Sequence, residues 1–400
     1  MSDRVSFDQA ISALKDLALP LGKVRVPLAD ASGRVLAETV RAGINAPRQD
    51  VSMMDGYAVR SADIVDVPFS LPISAEYFAG HADTVPLVAG SCARVFTGAP
   101  VPEGADRVIV QENVKRKGDI ATVISAAGPA EHIRRTASDF ELGAAMVEEG
   151  ASIDWRTMAA IGAADHGDVL VYERPRLVII SSGDELVAPG MAADRAGVIP
   201  DSLSNAIGAF AETRGADIRC VLRIADDEAR LADAVRAAQL DADLIIMIGG
   251  ASVGDRDLSR RAFGGALDYA FEKVALKPGK PTWLAKSGET SVLGLPGNPV
   301  SALVTARLFL APLISGLCGA KPQDELRFTP AQLQGPLPAT GDRETFFRGQ
   351  TVVDTGGVTP LAVQDSAGQK SLPIADTLIR RPPNATALDS GEAVSVLPFS

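Results

Sequence analysis

The sequence has few cysteines and few histidines, and this excludes several kinds of site. Cysteines are only three of its 400 residues, and they lie far apart without CxxC spacing: Cys92, Cys220 and Cys318. Because a disulfide framework or a structural zinc site needs a patterned set, we expect buried free thiols in a reducing compartment. The three histidines also lack metal-ligand spacing: His81, His132 and His166. A zinc enzyme or a histidine-based hydrolase is therefore not expected.

The chain also lacks any stretch that is dense in basic residues. Its formal net charge is -11 at pH 7, and no run of lysine and arginine is long enough to follow a phosphate backbone. Binding to nucleic acid is therefore not expected. An acidic chain can still bind an anionic small molecule where a few lysines are concentrated at one site.

No segment has the features of a targeting signal or of a membrane span. The first residues, MSDRVSFDQAISALKDL, lack the charged and then apolar layout of a signal peptide. The most apolar run, residues 300–319, contains Arg307 and Pro312 and follows a turn that is suited to start a helix. We expect a buried core helix there rather than a membrane helix, and a cytoplasmic protein.

Local composition changes along the chain and predicts several domains. A chain of this length is typical of roughly two to four domains. Short β-rich pieces alternate with Gly, Pro and Asp turns over residues 66–130, which predicts a small β domain. Strands alternate with helices over residues 176–320, which predicts βαβ units and a mostly parallel sheet. Short β runs return after Pro322 and predict a C-terminal β domain.

Three strands of the predicted sheet end in loops that contain glycine, proline or acidic residues. The strand at 176–181 leads into SSGDEL, the strand at 243–248 into GGASVGDRD, and the strand at 291–295 into PGNPVSAL. Because the carboxyl ends of parallel strands share one edge of a sheet, we expect these loops to line one pocket.

The last of these loops has the composition of an anion-binding helix start. Asn298 is a good N-cap residue, Pro299 suits the first helical position, and Gly297 permits close approach of a ligand. The N–H groups of Val300 and Ser301 are then predicted to receive a phosphate or carboxylate. The alternative is an ordinary helix start without a ligand.

Charged residues near these loops indicate what the pocket binds. Lys273, Lys277 and Lys280 lie around a Pro-Gly turn just upstream of the last strand. Lysine is a point charge that is suited to a phosphate or another oxyanion. The alternative is a solvated turn.

The acids of the pocket are suited to a metal. Glu185, Asp255 and Asp257 offer hard oxygen ligands, and Mg²⁺ usually takes one or two carboxylates together with substrate phosphates. The alternative for the two aspartates is N-capping of the next helix. Asp55 of MMDGYAV and Thr97 of RVFTGAP lie outside this domain, where a turn aspartate and a hairpin without a ligand are the alternatives.

Taken in order, these motifs resemble those of the MoeA family, the molybdopterin molybdenumtransferases, which includes the E domain of gephyrin. The matching pieces are MDGYAV, VFTGAPVPEGADRVIVQEN, IISSGDEL, GGASVGDRD, KPGKP and LPGNPVSAL. Each piece is weak alone, whereas the same six in one order over residues 53–303 are specific.

The resemblance implies a function in molybdenum cofactor biosynthesis. Family members insert molybdate into adenylylated molybdopterin and release AMP, with Mg²⁺ present. They are elongated homodimers whose active clefts involve both subunits. The resemblance thus implies a pterin nucleotide and an oxyanion as ligands, with a MogA-like adenylyltransferase and recipient molybdoenzymes as further partners.

The family fold is a multidomain α/β plus β architecture, which implies four domains here. An elongated, discontinuous domain comprises residues 1–45 and 141–174, and a β domain of residues 46–140 is inserted into it. A MogA-like α/β domain, which binds the molybdopterin, spans residues 175–322. A C-terminal β barrel spans residues 323–400.

The resemblance also assigns roles to single residues. The acids at family functional positions are Asp55, Asp139, Glu185, Asp226 and Asp257. The implied binding positions are Thr97, Ser182, Gly249, Gly250, Ser252, Gly254, Lys273, Lys277, Lys280, Pro296, Gly297, Asn298, Pro299 and Ser301. The implied Mg²⁺ ligands are Glu185, Asp255 and Asp257.

The chain departs from the family pattern near the predicted pocket. Met247 and Ile248 stand where the family usually has hydroxyl residues, and Ser138 stands where it often has glutamate. Residues 200–205 read PDSLSN in place of a Tyr-Asp-Ser-Asn turn. These departures keep open a second hypothesis, a non-catalytic relative that binds the pterin or the cofactor as a carrier or assembly scaffold. They also leave open the preference between molybdate and tungstate.

Overall fold

The computed structural model describes residues 4–249, 258–354 and 356–399, and its first element is helix α1, Phe7–Leu17. Ser6 and Gln9 form a reciprocal capping box at the start of this helix. The apolar face of α1 buries Phe7, Ala10 and Leu14 in the core of the α/β domain. Two strands follow, β1 (Lys23–Pro27) and β2 (Val40–Arg41).

A β domain follows these strands. Its strands are β3 (Val51–Ser52), β4 (Gly56–Val59), β5 (Phe69–Tyr77), β6 (Cys92–Val95), β7 (Arg107–Val110), β8 (Val114–Lys117), β9 (Ile120–Val123) and β10 (Ile133–Arg134). A sheet of order β7-β4-β6-β5-β9-β8 makes its body, and β3 pairs with β10 beside it. The inserted β domain of the predicted fold is confirmed.

The chain then returns to its first segment. Strand β11 (Ala145–Val147) pairs with β2, and β12 (Asp168–Tyr172) pairs with β1. Helix α2 (Trp155–Ala163) lies between them and begins at the N-cap Asp154. The two segments therefore pair with each other around the inserted domain, while the exact domain boundaries stay a prediction.

The α/β domain has a six-stranded sheet at its centre. Its elements are β13 (Arg176–Ser182), β14 (Leu186–Val187), β15 (Ile199–Pro200), α3 (Ser204–Glu212), β16 (Asp217–Ile224), α4 (Glu228–Gln239), β17 (Leu244–Ile248), α5 (Leu258–Arg261), β18 (Asp268–Phe271), β19 (Leu276–Lys277), β20 (Trp283–Ser287), β21 (Thr290–Leu295), α6 (Pro299–Thr305) and α7 (Ala311–Leu317). The sheet order is β16-β13-β17-β21-β20-β18. The first four strands are parallel to one another, β20 is antiparallel to β21, and β18 is antiparallel to β20. The predicted mostly parallel sheet is confirmed.

The central strand β17 explains two departures from the family pattern. Met247 and Ile248 are 1% and 3% exposed. Successive side chains of a strand point to opposite faces, and the two residues belong to different apolar clusters on the two faces of the sheet. In place of hydroxyl groups, this chain therefore has core packing at the end of β17.

The apolar run after β21 forms one long helical stretch. Helices α6 and α7 are joined by a π-helical segment, Ala306–Leu310. Among the described residues, Pro299–Leu317 is the only helix long and apolar enough to cross a membrane, yet 94% of its most apolar window is buried inside the protein. Arg307 within it donates to the Pro398 carbonyl oxygen and pairs with Glu325 at 3.5 Å. The prediction of a buried core helix is confirmed.

The C-terminal domain is a curled sheet that closes on itself. Its strands are β22 (Thr329–Gln332), β23 (Glu344–Val352), β24 (Gly357–Pro360), β25 (Thr377–Arg381) and β26 (Ala393–Pro398). The strand order is β19-β23-β25-β26-β22, with β24 paired to β23. A bridge between Leu333, just after β22, and Val358 of β24 completes the barrel. The β19–β23 pair joins this barrel to the α/β domain.

Short helices and free thiols complete the description. The 3₁₀ helices are Leu28–Asp30, Ser61–Asp63, Gln111–Asn113, Pro322–Leu326 and Gln369–Ile374. Burial raises the pKa of Cys92 to about 12 and that of the half-buried Cys318 to about 11. The expectation of buried thiols is wrong for Cys220, which is exposed on β16.

Candidate active site

A large cavity lies at the carboxyl ends of the parallel strands, and we call it the cleft. It has a volume of about 920 Å³ and is lined by residues from all three strand-end loops, including Ser182, Glu185, Gly249 and residues 296–299. The structure therefore brings together the loops that the sequence places on one edge. Asp226, after β16, lines the same cleft.

Carboxylates of the cleft lie close enough to affect one another. Burial raises the pKa of Asp226, and the charges of Asp184 and Glu185 raise it further. The Asp226 N–H also donates to Asp184 Oδ1 at 3.0 Å. A cation between these groups would relieve their repulsion, and Mg²⁺ prefers such oxygen ligands.

The described acids of the cleft do not by themselves form a closed metal site. Within residues 4–249, 258–354 and 356–399, no group of three Asp, Glu, His or Cys side chains is arranged to hold a metal ion. Glu185 and Asp226 therefore suit an ion that takes its remaining ligands from substrate phosphates and water. The other predicted ligands, Asp255 and Asp257, lie outside the described residues, as do the predicted binding positions Gly250, Ser252 and Gly254.

Gly249 has a structural reason to be glycine. Its φ is +85°, and an added Cβ would lie 2.7 Å from the carbonyl oxygen of Ser182. The Cα of Gly249 is also the nearest neighbour, at 3.5 Å, of a Cβ added to Gly297. The close approach at this glycine is thus between the three strand-end loops themselves.

The turn at residues 200–205 anchors one wall of the cleft. Asp201 is 3% exposed and pairs with Arg223 at 2.7 Å. It also accepts the N–H groups of Leu203 and Ser204 at the start of α3. Burial raises the pKa of Asp201, but the bonds from Ser204 and the Arg223 guanidinium outweigh it and hold the pKa below its usual range. This departure from the family turn therefore retains a firm structural role.

The helix start at PGNP is closed by another part of the chain. Asn298 occupies the N-cap position and Pro299 the first helical position, as predicted, but the Asn298 side chain makes no capping bond. The Val300 N–H instead donates to the Ser366 carbonyl oxygen at 3.0 Å. The prediction that Val300 offers a free N–H to a phosphate is therefore wrong, because a carbonyl of the C-terminal domain already occupies it.

A second cavity of about 330 Å³ lies between the α/β domain and the barrel, and we call it the cationic cavity. Its polar wall contains Lys277, Lys280, Arg343 and Arg348, together with Ser301 of α6. Pro281 lines both this cavity and the cleft, so the two are neighbours. Two of the three predicted lysines are thus brought together with Ser301.

Lys273 is the predicted lysine that lies elsewhere. It is not among the lining residues of the cleft or the cationic cavity, and its carbonyl oxygen accepts the Val5 N–H at 3.1 Å. The structure therefore connects Lys273 with the chain start rather than with either cavity.

Arg348 is a functional candidate that the sequence reasoning missed. It is 1% exposed on β23, and burial lowers its pKa. Its guanidinium donates to the carbonyl oxygens of Val363 and Asp365 at 2.9 and 3.0 Å and to Ser371 Oγ at 2.6 Å. The available signal was an arginine directly after two phenylalanines in a strand, because such a residue must find buried partners.

Asp55 and Thr97 meet in the β domain, away from both cavities. Asp55 Oδ1 accepts the Thr97 N–H at 2.8 Å and its hydroxyl at 2.9 Å. These bonds hold the pKa of the half-buried Asp55 below its usual range. Asp139 pairs with Arg134 at 3.2 Å in the same domain. Apart from Lys273, the described site residues therefore fall into two groups within one chain, one at the two cavities and one in the β domain.

Family models match the chain in three consecutive parts. Residues 5–164 match the MoeA N-terminal region (domain I and II), and residues 330–399 match the MoeA C-terminal region (domain IV). Residues 178–316, which carry the cleft, match a model described as a probable molybdopterin binding domain.

Two sequence relatives and one solved structure agree with these matches. A molybdopterin molybdenumtransferase of Haemophilus influenzae is 35% identical over 319 residues, which cover 79% of this chain and 78% of the relative. One of Nostoc sp. is 33% identical over 332 residues, with 81% and 76% covered. The crystal structure of a molybdopterin biosynthesis MoeA protein from Pyrococcus horikosii superimposes with a TM-score of 0.85 at 26% identity, with 100% of both chains covered. The fold and the motifs agree along the whole chain, which therefore belongs to the MoeA family.

Proposed function

We propose that this chain is a molybdopterin molybdenumtransferase that inserts molybdate into adenylylated molybdopterin and releases AMP in the presence of Mg²⁺. The observation that carries the proposal is the pair of adjoining cavities. One is lined by acids at the edge of a parallel sheet, and the other by lysines and arginines at the barrel. A pterin nucleotide and an oxyanion need such neighbouring sites of different charge.

The cationic cavity is suited to molybdate. Lys277, Lys280 and Arg343 supply positive charge to a small, partly enclosed space, and Ser301 adds a hydroxyl. Because N–H donors and cations in a partly desolvated site favour an anion, the oxyanion binds there rather than in the acidic cleft. The shared wall at Pro281 places it beside the nucleotide.

The cleft is suited to the phosphate end of the pterin nucleotide. Glu185 and Asp226 would hold Mg²⁺, which, when bound, neutralises charge on the diphosphate oxygens. The protein side chains position the adenylate and exclude alternative geometries, so cleavage of the adenylate bond depends on charge neutralisation and positioning without a covalent protein nucleophile. Asp201 contributes by holding the turn at the start of α3.

We also propose that the protein is a cytoplasmic homodimer, because the predicted site residues of the β domain lie away from both cavities. Asp55 is half-buried and Thr97 is exposed in the β domain, and the neighbouring Met53 and Met54 are 51% and 42% exposed. A partner subunit that covers this surface would bring Asp55 to a cleft without any change of fold. A MogA-like adenylyltransferase and recipient molybdoenzymes remain the proposed protein partners.

The decisive experiment measures AMP release from adenylylated molybdopterin. We expect release that needs molybdate together with Mg²⁺, and that is unchanged in Gln350→Ala, an exposed barrel position away from both cavities. Tight binding of the pterin nucleotide without AMP release would reject the transferase and favour the carrier hypothesis. Absence of binding would reject both.

A further inference from the structure

Residues 361–369 of the barrel form a wall that both cavities share. Gln364 and Ser366 line the cationic cavity, whereas Ala367 and Gln369 line the cleft. The Ser366 carbonyl oxygen also accepts the Val300 N–H of α6. The position of this segment therefore sets the shape of both cavities at once.

The segment docks on strand β23 at the point where its ladder partner ends. The ladder between β24 and β23 ends at Gly349, and beyond it the Leu361 N–H donates to the Arg348 carbonyl oxygen at 2.9 Å. The Gln364 side chain adds further bonds to the same residue. Its Oε1 accepts the Arg348 N–H at 3.0 Å, and its Nε2 donates to the Arg348 carbonyl oxygen at 2.8 Å. The carboxamide thus bonds both backbone groups of Arg348, beside the bond from the Leu361 N–H.

The second amide hydrogen of Gln364 is also donated within the segment. Nε2 donates a second time, to the carbonyl oxygen of Leu361 at 2.8 Å. A glutamine amide nitrogen has two hydrogens to donate, and both are directed at backbone carbonyls. Gln364 therefore has no amide N–H left for a ligand, although it lines the cationic cavity.

We propose that Gln364 is a positioning residue for oxyanion binding, which acts by fixing residues 361–369 against β23 and thereby placing Ser366 at the cationic cavity. The inference rests on the proposed function, because it assigns the oxyanion to that cavity. Without the carboxamide, the segment loses its bonds to Arg348 and Leu361 from this side chain, and Ser366 is held less firmly. A smaller fraction of the protein then has the oxyanion site in its binding-competent form. This lowers the affinity for the oxyanion more than it lowers kcat.

The test compares two side chains that each bond the backbone of β23. Gln364→Met keeps length and removes all three bonds. The control is Asp376→Ala, because Asp376 accepts the Thr351 N–H at 2.8 Å and lines neither cavity. Molybdate affinity is measured by calorimetry on the full-length protein, and the KM for molybdate and kcat are measured from AMP release.

For Gln364→Met we expect the molybdate Kd and KM to rise about tenfold, with kcat changed less than about twofold. For Asp376→Ala we expect both constants to stay at wild-type values even where the melting temperature falls equally. A wild-type Kd in Gln364→Met, or an equal rise in both variants, overturns the positioning role. If Gln364→Met does not fold, Gln364→Asn, which keeps the amide but shortens its reach, must show the same loss. Wild-type protein that fails to bind molybdate would instead reject the proposed function.

Discussion

The Val300 N–H donates to the Ser366 carbonyl oxygen at 3.0 Å and so joins the first turn of α6 to the barrel. Helix starts leave backbone N–H groups without intrahelical partners, and a carbonyl oxygen satisfies one of them here. The start of α6 is consequently a contact between the α/β domain and the barrel. In the proposed function, the cations for an oxyanion come instead from the turn at Lys277 and Lys280, which lines the cationic cavity.

Removing one of these cations provides the first prediction. Lys277→Ala should weaken molybdate binding by roughly ten- to hundredfold, because a charged donor to an anion is lost. The control is Lys321→Ala, an exposed lysine outside both cavities, for which affinity should not change. Calorimetric titration with molybdate measures both. Equal affinities in the two variants would place the oxyanion elsewhere.

The acids of the cleft provide a prediction about pH and metal. Asp226 has a raised pKa in the folded protein, so the folded state holds this proton more tightly than the unfolded state. Stability from this group is therefore lost as pH rises from its unfolded pKa of about 4 through the higher folded pKa. Asp226→Asn should consequently be slightly more stable than wild type at neutral pH, by less than about 1 kcal/mol because the group is exposed.

Bound Mg²⁺ should reduce the repulsion among the carboxylates of the cleft. We expect Mg²⁺ with the pterin nucleotide to raise the melting temperature of the wild type, and to raise that of Asp226→Asn and Glu185→Gln much less, since each variant loses one carboxylate. AMP release should fall strongly in both variants. Wild-type activity and wild-type metal response in either variant would remove that residue from the metal site.

Much of the fold follows from local sequence patterns, and so does the cleft, which is one of the two parts of the site. Parallel strands must end at one edge, so SSGDEL, the start of GGASVGDRD and PGNP meet as predicted. The alternation of strands and helices after residue 176 likewise predicts the sheet and the buried helix. These features depend on periodicity and chain direction, which a single sequence contains.

The cationic cavity, the other part of the site, depends on how the domains pack. Local sequence patterns do not contain this information. Arg343, Gln364 and Ser366 reach the cationic cavity because β19 pairs with β23, across a separation of more than sixty residues. No local pattern distinguishes these side chains from ordinary polar residues of a barrel. The position of Asp55 away from both cavities likewise depends on how the domains pack within the chain.

The shared active cleft of the proposed homodimer leads to a complementation experiment. At a molybdate concentration that saturates only the wild type, Asp55→Ala and Lys277→Ala should each be nearly inactive alone. Both should fold normally, because Asp55 is only half-buried and Lys277 lies on a cavity wall. If a cleft uses Lys277 of one subunit and Asp55 of the other, a mixed dimer has one intact cleft. Random reassortment should then restore roughly a quarter of the wild-type activity. Activity that stays at the level of the separate variants would show that both residues serve one chain, or that Asp55 has no role.

Packing among the strand-end loops leads to a prediction about stability. Gly249 and Gly190 have similar φ values, +85° and +88°, but an added Cβ meets the Ser182 carbonyl oxygen at 2.7 Å only at Gly249, whereas Gly190 faces open space. Gly190→Ala should lower the free energy of unfolding by about 1 kcal/mol, the cost of the left-handed backbone alone. Gly249→Ala should lower it by at least about 2–3 kcal/mol, because the clash adds to that cost. Denaturant titration measures both. Since the clash displaces Ser182 at the wall of the cleft, Gly249→Ala should also bind the pterin nucleotide more weakly, and equal effects of the two variants would show that the loops adjust freely.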